Sequence, residues 1–160
     1  SIAAVRGYAL GAGFQLALAC DLRIFAEGTK VGLLEFKYGL LPDMGATEWL
    51  TRLVGPAVAK ELIFTAAQID SEEAKRLGIA NRVVAEDRLE QEALDLAQTI
   101  AAQAPLAVRG TRKAVDAAYE PDGRAVELAL LGQMDCLRSE DFREAGKAFV
   151  EKRAPVYRGR

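Results

Sequence analysis

The segment from Ile2 to Asp21 limits the fold of this chain more than any other stretch. Ile2 to Val5 is apolar and reads as a buried strand, Gly7, Gly11 and Gly13 follow in a turn, and the next residues are too apolar for a surface helix. The one amide in that helical run is Gln15, a turn inside its start. At a helix start the first N–H groups have no intrahelical acceptor, and the helix dipole favours negative charge beside them. The loop from Leu10 to Gly13 is therefore a place to hold an anion or an oxyanion.

Gly11-Ala12-Gly13 echoes a dinucleotide-binding glycine loop, but the third small residue is missing, since position 16 is Leu16, and no acid follows at the required distance. A phosphate-binding P-loop needs a terminal Gly-Lys-Ser/Thr, which is absent. Two readings remain open. The glycines pack strand tightly against helix, or they aim N–H donors at a carbonyl oxygen.

Downstream, Asp21 to Ala26 alternates like a half-buried strand, Glu27 to Lys30 turns it around, and Val31 to Leu34 returns as a short strand. Glu35 to Gly45 is irregular, punctuated by Gly39, Pro42 and Gly45, and loops of this kind often carry function. Helical spacing covers Ala46 to Leu53 and Pro56 to Phe64, with Gly55 between them. Asp70 is placed to cap the next helix, Glu73 to reach back to it, and Gly78 to end it. Ala80 to Val84 is a further strand. Helices then follow over Arg88 to Gln103, Pro105 to Tyr119, Arg124 to Leu137 and Ser139 to Lys152. The expected fold is α/β over residues 1–86 with a helical tail over 87–160, joined as one structural unit.

The 160 residues suffice for a real core, and 51% hydrophobic with 28% charged residues is an ordinary globular composition. Basic and acidic residues are interspersed at a net charge of -2, so no nucleic acid is expected as a partner. No stretch reaches the length of a membrane span, and the two distant cysteines, Cys20 and Cys136, fit a reducing cytoplasmic location. The chain opens inside an apparent buried strand, with no initiating Met, as expected for a piece of a longer polypeptide.

The sequence contains no histidine. That excludes a Ser-His-Asp triad, a Cys-His pair and a His-rich zinc site, so no metal is expected. Proton transfer falls to carboxylates, Lys, Tyr or Cys. Of the 23 acidic residues most lie on amphipathic helices, where a charge is usually a solvated face. Glu35, between Leu34 and Phe36, is placed for partial burial, which raises a carboxyl pKa toward the useful range, although it also reads as a surface acid at a strand end. Asp43 follows Pro42 and is either a second candidate or the N-cap of the helix at Ala46. Gln15 is either satisfied by a core hydrogen bond or faces a polar cavity, and as a neutral amide it is no base.

These residues together resemble the enoyl-CoA hydratase/isomerase (crotonase) family. The resemblance is carried by Ala4 to Gly13, Leu16 to Asp21, Glu35 with Gly39 to Gly45, Leu50 to Gly55, Ala74 to Gly78 and Phe149 to Arg153. It implies a spiral of strand-strand-helix turns, here a carboxy-terminal part, with a helical tail that packs subunits into trimers or pairs of trimers. It also implies an acyl-CoA thioester as substrate, coenzyme A being part of that substrate and no separate cofactor being needed. One oxyanion donor is then the N–H of Ala12, a position usually held by Gly, and the other belongs to an amino-terminal half. Leu10, Gly11 and Lys152 match positions that approach the CoA moiety. Glu35 matches one of two hydratase glutamates and Gln15 stands where the second would be, while some isomerases place a proton-shuttling acid at Asp43. The expectation is enoyl-CoA double-bond isomerisation. The alternatives are hydration and acyl-CoA binding without chemistry.

Overall fold

The computed structural model of the chain describes residues 1–38, 40–119 and 124–160. Gly39, one of the punctuating glycines, lies outside them. The chain divides into two compact units, Ser1–Leu96 and Ala97–Arg160.

The first unit climbs as a spiral between two sheets. Strand β1 (Ile2–Val5) lies in one sheet, β2 (Tyr8–Leu10) in the other, and helix α1 (Ala12–Ala19) closes the turn. The next turn repeats the pattern with β3 (Leu22–Ala26), β4 (Lys30–Gly32) and α2 (Ala46–Phe64). β1 pairs in parallel with β3, Ile2 opposite Leu22, and β2 pairs in parallel with β4, Tyr8 opposite Lys30. Parallel neighbours need a long crossover, and the rest of each turn supplies it. β5 (Ile69–Asp70) joins β4 antiparallel, and after α3 (Ser71–Arg76) strand β6 (Arg82–Val84) completes the first sheet beside β3.

This topology corrects the expected hairpin. The turn at Glu27 to Thr29 does not fold β4 back on β3 but hands the chain to the other sheet. The glycine turn also contains a strand that was not expected, β2. Nor is α1 buried all round: Phe14, Gln15, Ala17 and Leu18 face inward, whereas Leu16 is 65% exposed.

Phe14 and Leu18 of α1, Phe25, Val31 and Leu33 of the strand region, Leu50 and Ile63 of α2, and Ile79 form one core. The opposite face of β3, Ile24 and Ala26, packs on Leu89 with Leu96 beside it. Both faces of the central strand β3 are thus covered, as is usual inside parallel sheets, whereas β1 is half-buried with Ala4 exposed and not the buried strand expected. Arg23 consequently lies inside, 5% exposed, although alternation suggested a half-buried strand.

Gly55 adopts φ 77° and ψ 163°, outside the helical range, and divides α2 into two helical segments, as expected. Asp70 caps α3, its Oδ1 accepting from the Glu73 N–H at 2.9 Å. Glu73 does not reach back; its carboxylate takes two bonds from Arg76, which hold it below the usual carboxylate range.

The helix α4 (Leu89–Ala101) spans the boundary between the units. The second unit contains α5 (Pro105–Asp116), α6 (Arg124–Arg138) and α7 (Glu140–Glu151). α5 and α6 approach where Gly110 faces Gly132, and a Cβ on Gly110 would stand 3.3 Å from the Gly132 Cα. Ser139 caps α7 by accepting from the Phe142 N–H, and Lys152 ends it in the left-handed conformation. The terminal segment returns along α7: Asp141 accepts from the N–H groups of Arg158 and Gly159, and Glu144 accepts from that of Val156.

Candidate active site

Gly11 makes the turn from β2 into α1 with φ 55° and ψ −123°, a conformation only glycine adopts without strain. Its N–H donates to the Gly32 carbonyl at 2.8 Å, which registers the helix start on β4. Its carbonyl accepts from the N–H groups of Phe14 and Gln15. The N–H groups of Ala12 and Gly13 have no acceptor among the described residues, and both residues are exposed. The helix start is thus open.

Three residues past β4 the chain enters a single 3-10 turn, Glu35–Tyr38. Glu35 points back at α1: a Cβ on Gly11 would lie 3.6 Å from its Oε1. Gln15 Nε2 donates to that oxygen at 2.7 Å, and Gln15 Oε1 accepts from the Met44 N–H at 2.8 Å. Gln15 is 1% exposed, and both ends of its amide are satisfied. Glu35 Oε2 is also buried yet has no hydrogen-bond partner among the described residues. A buried carboxylate oxygen left open is costly, and such atoms mark places where a ligand completes the set.

Asp43 is exposed and makes no hydrogen bond among the described residues. It is not the N-cap of α2; that position belongs to Gly45, which offers no side-chain cap. The carboxylate stays available because the tight entry at Gly45 leaves it upstream of the helix start. Leu10 ends β2 beside the open N–H groups, together with Gly11. Lys152 is exposed at the end of α7, in the second unit.

Sequence reading missed one group of the site and one buried anchor outside it. The Met44 N–H is a backbone group with no sequence signature. Arg23 had one, a cation inside an apolar strand. Its Nε donates to Ile79 O at 2.7 Å and its Nη1 to Cys20 O at 2.6 Å and Leu18 O at 3.4 Å. Burial pushes its guanidinium down from the ordinary value. The Arg23 cation thus ties down the carboxyl end of α1, where the dipole favours positive charge.

Among the described residues no group of His, Cys, Asp and Glu is arranged to hold a metal ion. No helix among them is long and apolar enough to cross a membrane.

An α/β spiral that sets an open helix start beside a buried, part-satisfied carboxylate belongs to a class of folds suited to holding an oxyanion next to an acid. A family model described as "Enoyl-CoA hydratase/isomerase" matches residues 1–160. The chain is 44% identical to enoyl-CoA hydratase domain-containing protein 2, mitochondrial, of Mus musculus, covering 100% of this chain and 56% of that protein. It is 42% identical to methylglutaconyl-CoA hydratase, mitochondrial, of Rattus norvegicus, covering 99% of this chain and 52% of the relative. The chain spans about half the length of these relatives. A crystal structure of enoyl-CoA hydratase from Bacillus anthracis superposes with a TM-score of 0.95 at 39% identity, over 99% of this chain and 62% of that one. The chain therefore belongs to the enoyl-CoA hydratase/isomerase family and has its crotonase-like spiral, in part, followed by a helical tail.

Proposed function

We propose that the protein to which this chain belongs acts on an acyl-CoA thioester and moves a double bond of an enoyl-CoA through an enolate. The observation that carries this reading is the Glu35 carboxyl against the helix start: a Cβ on Gly11 would lie 3.6 Å from its Oε1, its Oε2 is open, and the N–H of Ala12 has no acceptor among the described residues. In the proposed step Oε2 takes the proton from the carbon alpha to the thioester, and the electron pair moves onto the carbonyl oxygen. The Ala12 N–H holds that oxygen, with a second donor assigned by family resemblance to an amino-terminal half. Reprotonation at the gamma carbon then turns a 3-enoyl into a 2-enoyl thioester. Either Glu35 or Asp43 carries the returning proton. Leu10 and Gly11 line the approach of the CoA moiety; family resemblance assigns Lys152 to CoA phosphates, in some members those bound by an adjacent subunit. Coenzyme A enters as part of the substrate, and the helical unit packs copies of the chain together, as a trimer or dimer of trimers.

Isomerisation is favoured over hydration because the group bonded to Glu35 is the amide of Gln15 and not a second acid. Hydration by two carboxylates needs both to hold and split a water. One observation favours hydration as the second reading: the relatives reported above are named hydratases.

Single replacements Glu35→Ala and Asp43→Ala in the complete protein, assayed with a 3-enoyl-CoA and a 2-enoyl-CoA, separate these readings. At least one variant is expected to lose about a hundredfold or more in isomerisation, the usual contribution of a positioned acid or base. Losses below about tenfold in both rule out the proton shuttle. A wild type that hydrates the 2-enoyl-CoA and leaves the 3-enoyl-CoA unchanged makes it a hydratase.

A further inference from the structure

Resting on that reading, we propose that Gln15 is the positioning residue of the site: one amide, bonded at both ends, selects the Oε2 of Glu35 as the working oxygen and holds the backbone beside Asp43 in register with it.

The orientation of the amide follows from its partners. A backbone N–H only donates, so the end of Gln15 that meets Met44 is its oxygen, and the end that meets Glu35 is its nitrogen. The Glu35 oxygen facing an N–H donor must accept. When Glu35 carries a proton, that proton therefore sits on Oε2, the atom that is buried and open. The two oxygens of one carboxyl group are made inequivalent by a neutral neighbour.

The second bond does separate work. The N–H of Met44 belongs to the Asp43–Met44 peptide, so Gln15 holds the peptide plane next to the second candidate acid. Among the described residues no side-chain cap fixes the start of α2, since Gly45 opens it without one. Gln15 itself is 1% exposed on the inward face of α1 with Phe14 and Leu18, so its side chain has no room to swing to solvent. α1 thus presents the oxyanion donor at its first residue and the carboxylate clamp one turn further on.

The test uses the complete protein and the exchange of the alpha hydrogens of butyryl-CoA in deuterated water. A saturated thioester loses only that proton, so the assay reads the carboxylate and the oxyanion donors whichever reaction follows. Gln15→Leu removes both bonds at similar volume. Its exchange kcat is expected to fall about tenfold or more with KM within about threefold, the signature of a misaligned base and not of lost binding.

Gln15→Glu guards against a variant that simply fails to fold, because it is nearly isosteric. Two carboxyls at hydrogen-bond distance share a proton. While protonated, the introduced carboxyl donates to Glu35 and accepts from Met44, as the amide does. Its exchange rate is expected to approach that of wild type in acid and to fall as pH rises and the shared proton leaves, over a range where wild type does not fall. Wild-type kcat in Gln15→Leu, or a Gln15→Glu profile parallel to wild type from pH 5 to 9, overturns the proposal. A wild type that exchanges nothing overturns the acyl-CoA reading and this one with it, whereas active wild type with indifferent variants overturns this one alone.

Discussion

At the scale of single residues, the buried polar groups of the first unit divide into anchors and an open atom. Arg23 is an anchor: its guanidinium satisfies three carbonyls, at Ile79, Cys20 and Leu18, that have come from two separate parts of the chain. Arg23→Ala leaves buried acceptors without donors. Each such acceptor costs about 1–3 kcal/mol, so a loss of about 3 kcal/mol is expected in urea unfolding of the complete protein. Glu35 is the opposite case, holding one satisfied and one open oxygen. The sequence pointed to Glu35, Asp43 and Gln15 through their unusual neighbours, and the structure joins Gln15 directly to Glu35 and, through the Met44 N–H, to the peptide after Asp43. What the sequence did not reveal was the direction of each bond. Whether Gln15 faced the core or a cavity depended on partners 20 and 29 positions away, and local pattern carries no such information.

At the scale of elements, periodicity located the long amphipathic helices, because each repeats its signal over enough residues, and an uninterrupted apolar run located β1. It did not distinguish a hairpin from a change of sheet at Glu27 to Thr29, since a strand returning to its neighbour and one departing to another sheet have the same pattern. The three-residue strand β2 was too short to stand out among glycines. The helical unit has its own constraint at the α5–α6 contact, where Gly110 and Gly132 let the backbones approach without side chains between them. Gly110→Val must push the helices apart. A loss of about 2 kcal/mol, as for other overpacked sites, is expected and is read as a lower thermal unfolding midpoint.

At the scale of the molecule, the carboxyl end of the chain is held by acids on α7. The Arg153 guanidinium donates to both oxygens of Glu144, the Val156 N–H adds a third bond, and together they lower the Glu144 carboxyl from 4.5 to about 2. A group whose folded value is depressed stabilises the fold above its unfolded value and loses that effect as pH falls through the folded one. The part of the hold that Glu144 supplies is therefore complete above about pH 4.5 and lost toward pH 2. The amide resonance of Val156, followed by nuclear magnetic resonance from pH 6 to 2, is expected to move only in that window. A resonance unchanged at pH 2 contradicts the assignment. This clasp was not legible in the sequence, because Glu144 and Arg153 are ordinary surface residues until the terminal segment turns back along α7.

The parallel ladders also bear on the order in which the molecule assembles. Ile2 meets Leu22 and Tyr8 meets Lys30, both short separations, whereas Ile24 waits for Arg82. Closing a short loop costs less entropy and happens sooner. Gly11, Gln15 and Glu35 all lie within the two short ladders or against them. The neighbourhood of the Glu35 carboxyl is therefore expected to condense during synthesis before β6 and the helical unit have been made, so that these later elements add to a corner already formed.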